Sequence, residues 1–187
     1  MRDTDQVGIR IPSWLYDEIE QKAVDLLVSL QVCKLPIDPL LIIRKMGIEV
    51  VPFSKLSSDV DWKEDEGNDA FSFFSKEENK FYITYNDKAI ETRIRFSLMH
   101  EVGHIVFGHK GESFLASKIA DYFAGYILAP YPLILEFTGF DRERVMRTFG
   151  ISRGCADVTL SRCCNWDQYS GPMKDYERKL IHQFKRK

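Results

Sequence analysis

The chain has 187 residues, 44% hydrophobic and 29% charged, the balance of an ordinary soluble globular protein rather than a disordered or fibrous one. Its 26 lysines and arginines against 28 aspartates and glutamates leave a net charge of -2, which removes the bulk attraction to phosphate that a nucleic-acid-binding surface relies on. No stretch reaches the roughly 18 uninterrupted apolar residues of a membrane span, MRDTDQVGIRIPSW lacks the apolar core of a signal peptide, and Cys33, Cys155, Cys163 and Cys164 show no C-x-x-C spacing, so a cytoplasmic protein with free thiols is expected.

In chain order, Ser13 precedes WLYDEIEQKAVDLLVSL, where Leu15, Ile19, Ala23, Leu26, Leu27 and Leu30 recur at helical spacing and predict an amphipathic helix. Pro36 and Asp38 open a shorter helix, DPLLIIRKM, which Gly47 ends. IEVVPF, FSFFS and KFYITY, rich in β-branched and aromatic residues, predict three strands of a small sheet, with DWKEDEGND as a solvated loop between the first two. Asp87 is the expected N-cap of a helix running through His104 toward Gly108, and its nearly all-round apolar sequence from Phe96 onward places it, and its histidines, in the core. SFLASKIADYFAGYILA should form a helix that stops before Pro130, and PLILEF, DRERVMRTF, SRGCADVTLSRC and KDYERKLIHQF a run of helices broken at Gly139, Gly150 and Gly171-Pro172. Helices, then strands, then many helices make an α+β pattern, read as one domain over residues 1–187.

Three of the four histidines lie in HEVGHIVFGH, residues 100–109. His100 and His104 are four residues apart, hence on one helical face, and can direct ring nitrogens to one zinc ion, with Glu101 beside them as general base for attack of water on a peptide carbonyl. Chance occurrence of H-E-x-x-H is opposed by the cost of placing two imidazoles and a carboxylate in a core helix without return, and by Gly103, whose cost inside a helix points to close backbone approach. His109 falls at the wrong offset for a third histidine ligand and is expected at or beyond the helix end.

The segments RIRFSLMHEVGHIVFGH and IADYFAGYILAPYPLI together resemble the two linked signatures of the ImmA/IrrE family of metallo-endopeptidases, and LPIDPLLIIRKMGIEVVPF, KFYITYND and FGISRGCADVTLSRC are similar to its flanking segments. The resemblance covers roughly residues 32–166, leaving 1–31 as an N-terminal helix and 167–187 as a C-terminal helix. It implies a zincin-like fold, with a small twisted sheet packed on the buried H-E-x-x-H helix and a helical C-terminal part. It further implies a zinc-dependent endopeptidase acting on a protein partner, typically a helix-turn-helix repressor carried by mobile elements or stress responses. His100 and His104 would then hold Zn2+, Glu101 would be the base, and substrate would lie as an extended strand near FSFFS or KFYITY.

The chain departs from that pattern at one position. The glutamate expected as third zinc ligand, four residues before the acidic or amide residue of the second signature, is Ser117, and a neighbouring glutamate is Ile119. A neutral hydroxyl is a poor zinc ligand, and catalytic zinc normally takes three protein side chains. Asp121, one turn after Ser117, is the nearest candidate to complete the site, with an orienting role toward a ligand histidine as its family-like alternative; Glu112 and His109 are more remote. Two function readings follow: a working zinc endopeptidase, or a weakened or inactive peptidase-like module that regulates its partner by binding. A third, a DNA-binding helix-turn-helix in RERVMRTFGISRGCADVTLSRC, is opposed by the acidic balance of the chain. Tyr126 and Tyr131 are candidate oxyanion donors between which the sequence does not choose.

Overall fold

The computed structural model describes residues 10–56, 69–111 and 113–186. Most of DWKEDEGND and Glu112 lie outside the described residues. Helix α1, Ser13–Ser29, buries Ile19, Glu20, Ala23, Val24 and Leu27 along one stripe. Helix α2, Pro39–Lys45, starts at Asp38, whose carboxylate accepts from the Leu40 amide at 2.9 Å, and the chain leaves it through Gly47 at φ +72°.

Strands β1, Glu49–Pro52, β2, Ala70–Ser75, and β3, Lys80–Tyr85, form a sheet in the order β1-β3-β2. β1 runs parallel to β3 and β2 antiparallel to it, with Ser72 opposite Ile83. The KFYITY strand is therefore central, with both edges already paired, and of the two strands named as a docking edge only β2 has an edge that no described strand pairs. Ile83 and Ser72 share the face that packs on helix α3, Glu91–Val106.

Helix α3 begins later than the sequence suggests. Asp87 does not cap it: its carboxylate accepts from the Ser54 amide at 3.1 Å, hydrogen bonding by the Ser54 side chain and then by that amide holds its pKa below the ordinary value, and Ile90 precedes the helix with no side-chain cap. A turn that ties the β3 exit to the strand β1 exit has outcompeted local capping. Helix α4, Phe114–Leu128, starts at Ser113, whose hydroxyl accepts from the Ala116 amide, and packs against α3 along most of its length. At the crossing, a Cβ on Gly103 would meet Ala120 Cα and Phe123 Cδ1 at 3.1 Å, so any side chain there would force α4 or Phe123 to give by a few tenths of an ångström.

Helices α5, Tyr131–Phe137, α6, Arg142–Phe149, α7, Arg153–Tyr169, and α8, Asp175–Lys185, complete the described chain. Gly139, Gly150 and Gly171, the expected breaks, all have positive φ. Arg95 of α3 locks this half to the rest. It is 9% exposed and donates to Gly150 O at 2.9 Å, Phe149 O at 3.0 Å and Ile37 O at 2.8 Å, so one guanidinium caps the carbonyl end of α6 and holds the α2 approach. The same cation would lie 3.2 Å from a Cβ at Gly150.

Helix α1 packs on α4, and α8 packs on α1 and α5. Gln183 Nε2 donates to Leu27 O and Val32 O, and Lys174 pairs with Asp17, fastening α8 to α1. Between them lies a buried polar cluster: Tyr122 Oη donates to Glu20 Oε1 at 2.6 Å, and Tyr131 Oη donates to Tyr122 Oη at 3.0 Å. Glu20 Oε2, Tyr126 Oη and Tyr176 Oη have no hydrogen-bond partner among the described residues. Burial pushes the Glu20 carboxyl up to about 7 against the Tyr122 hydrogen bond, which acts the other way.

Arg95→Ala should destabilise the fold by about 3 kcal/mol in equilibrium urea unfolding, because it strips three buried carbonyls of a charged donor, and Arg95→Lys should recover only part. For Glu20 the folded pKa lies above the unfolded one, so the native state holds the proton more tightly. Stability is then greatest below the unfolded value and falls as pH rises through the folded one, by about 1.4 kcal/mol per pH unit between roughly pH 5 and 7. Glu20→Gln should remove that slope in urea titrations across this range.

Candidate metal centre

Helix α3 presents His100, Glu101 and His104 at the spacing read from the sequence, but the two histidines are half-buried rather than enclosed, while Glu101 is 9% exposed. Their Nε2 atoms approach to 3.0 Å, as two ligands of one ion would. The backbone contact at Gly103 brings α4 close enough for Asp121 to reach this pair. Its Oδ1 lies 2.8 Å from Nδ1 of His100, the ring nitrogen away from His104. Asp121 thus stands where a carboxylate orients an imidazole, and its observed contact is with that ring rather than at the meeting point of the two Nε2 atoms.

His109, just past the helix, lies with Nδ1 at 3.1 Å from Nδ1 of His104. Sequence spacing gave it no role here; Gly108, at φ +61°, turns the chain back so that residue 109 folds over the last helical turn. The three contacts are satisfied by the following proton assignment, among others. His100 donates from Nδ1 to Asp121 and accepts at Nε2 from His104, which accepts at Nδ1 from His109. Burial, reinforced by His100 and His109, holds His104 down at about 4, and burial likewise lowers His109. Neutral imidazole is the form a metal needs.

Ser117 lies in the first turn of α4, where its amide bonds Ser113 O, and supplies no anionic donor. Among the described residues, no three histidines, cysteines, aspartates or glutamates gather as a metal-binding group. The donors present therefore fit two positions of a catalytic zinc site and not the third. Glu101 is held by Ser72 Oγ, which donates to its Oε2 at 2.6 Å. Ser72 was not singled out from the sequence, although a small polar residue within FSFFS is the available signal. Tyr126 and Tyr131 are 1% and 2% exposed and belong to the Glu20 cluster, so neither reaches the site as an oxyanion donor.

Beside the histidines opens a cleft of about 670 Å³. Asp69 and Ala70 at the start of β2 form one border, and α3 contributes Phe96, Ser97, His100 and Glu101. The N-terminal half of α7 forms the opposite wall, so the segment that could be read as a DNA-recognition helix faces this cleft. No helix among the described residues is long and apolar enough to cross a membrane.

Among curated proteins no relative matches the chain. The family model of the M78 peptidases described as the IrrE N-terminal-like domain matches residues 44–161, from the end of α2 into α7, and so takes in the sheet, the histidine helix, α4 and the cleft. The α+β architecture is that of a zincin-like domain, and the chain belongs to the IrrE N-terminal-like family of M78 peptidases.

Proposed function

We propose that this chain is a peptidase-like module that regulates a protein partner by holding an extended segment of it along the edge of β2 that no described strand pairs, with hydrolysis weakened or lost. The observation that carries this reading is the donor set. Ser117 is neutral, and Asp121 is engaged at Nδ1 of His100, so two imidazole nitrogens converge without a third anionic ligand among the described residues. The edge of β2 beside the cleft, which no described strand pairs, supports strand addition, in which main-chain hydrogen bonds supply affinity. The family supports a protein partner, and the resemblance to ImmA/IrrE proteins favours a helix-turn-helix repressor in the cytoplasm. The reading treats residues 1–187 as one unit, in keeping with the packing of α1 and α8 against α4 and α5.

The second reading, a zinc endopeptidase with Glu101 as base, is favoured by the 3.0 Å approach of the Nε2 atoms and by the placement of Glu101 in the same cleft. When bound there, zinc would supply Lewis-acid polarisation of a peptide carbonyl. His100 and His104 would be its ligands, and Asp121 would fix the ring of His100.

The two separate on metal affinity and on Glu101. Isothermal titration should give weak zinc binding to the natural chain and tighter binding, by about 100-fold, to Ser117→Glu, where a third anionic ligand is restored. Glu101→Gln should leave the effect on the partner intact. Stoichiometric zinc in the purified natural chain, together with loss of partner regulation in Glu101→Gln, would establish the endopeptidase instead.

A further inference from the structure

The far end of the cleft has an unusual floor. On α4, Asp121, Gly125 and Leu128 succeed one another about a turn apart and all line it; on α7, Gly154, Val158 and Arg162 do the same. Gly125 lies in a helix interior, where glycine is unfavourable, has no positive φ, and a Cβ there would meet nothing within 4 Å. Neither packing nor backbone conformation accounts for it. Gly154, in the first turn of α7, is open in the same way. These two absent side chains leave room bordered by Phe96, Leu128 and Ile151, with Val158 half-exposed at its rim.

The charge in this end of the cleft is also uneven. Arg93, another lining residue, is paired with Asp69. Arg162 is exposed, stacks over the Tyr122 ring at 4.7 Å, and no carboxylate among the described residues pairs with it.

We propose that this end of the cleft is a specificity pocket, which takes one bulky apolar side chain of the partner segment over Gly125 and Gly154 while Arg162 pairs with a carboxylate of the same segment. The inference rests on the strand-binding reading above and adds the chemistry of what is bound. An apolar anchor in a pocket supplies affinity, and a charge on the rim supplies selection. An extended segment on β2 alternates its side chains, so one residue in two points toward the cleft, and the acidic residue is expected close to the apolar one in sequence.

The test uses the full chain and a positional-scanning library of capped decapeptides, followed by competition binding and by the amide spectra of β2, Gly125 and Gly154. The expected result is selection of leucine, isoleucine, phenylalanine or methionine at one position and aspartate or glutamate near it, with shifts at Gly125 and Gly154. Gly125→Leu should keep or raise Tm, yet weaken those peptides at least about tenfold; Gly125→Ala should do so to a smaller degree. Arg162→Glu should exchange the preference for acidic residues for lysine or arginine. Peptides that shift β2 but not Gly125 and Gly154, or that bind equally well with alanine at every position, would overturn the pocket and leave strand binding standing. No shift in β2 with any peptide would overturn the strand-binding reading and the pocket together.

Discussion

The close crossing of α3 and α4 at Gly103 is the contact on which the candidate site depends. With 3.1 Å between a notional Cβ and the Ala120 backbone, α4 has no freedom to stand further off without losing the packing around Phe123. This approach carries Asp121 to the Nδ1 edge of His100 and sets Gly125 and Leu128 as one wall of the cleft. Arg95, four residues before Met99 on the same helix, fixes the other wall. By binding the carbonyl end of α6 it determines where α7 starts, and hence where Gly154 and Val158 face α4. Site and cleft are thus two outcomes of one helix, α3, that makes tight contacts on opposite sides.

Much of this was legible in the residues. The three strands, the long helices and the glycine breaks follow from periodicity and from positive-φ positions, and Gly103 announced its close contact through its cost in a helix. What could not be read depends on contacts distant in sequence. Asp87 was a reasonable cap by local chemistry, but Ser54, 33 residues earlier, offers it an amide. The strand order β1-β3-β2, which excludes KFYITY as a docking edge, is a property of the sheet and not of any strand. The direction of the Asp121 carboxylate depends on the side of the His100 ring that α4 passes, and spacing is silent on that. His109 was set aside on its offset, a sound argument about zinc ligation that says nothing about a hydrogen bond to His104.

The four polar groups Asp121, His100, His104 and His109 explain how a partly buried helix tolerates two imidazoles without a complete metal site. Each ring nitrogen between the two ends of the array has a partner, so desolvation of the histidines is offset within the chain itself. The arrangement also sets a competition. In the assignment given above, the Nε2 proton of His104 occupies the position a metal would take, and a metal gaining His104 would have to shift that proton to Nδ1 and turn the hydrogen bond with His109 around. A strong third ligand would favour the metal; Ser117 does not provide one.

The account therefore turns on the protonation pattern of these three rings. Long-range proton-nitrogen NMR of the metal-free, nitrogen-15-labelled chain at neutral pH reports it directly, because each ring nitrogen has a shift characteristic of its protonation state. The predicted result is His100 protonated at Nδ1, His104 at Nε2 and His109 at Nδ1, with His104 and His109 neutral. A His100 ring protonated at Nε2, with its Nδ1 bare toward Asp121, would contradict the account, since the carboxylate would then be released from that ring and free to serve as a third ligand.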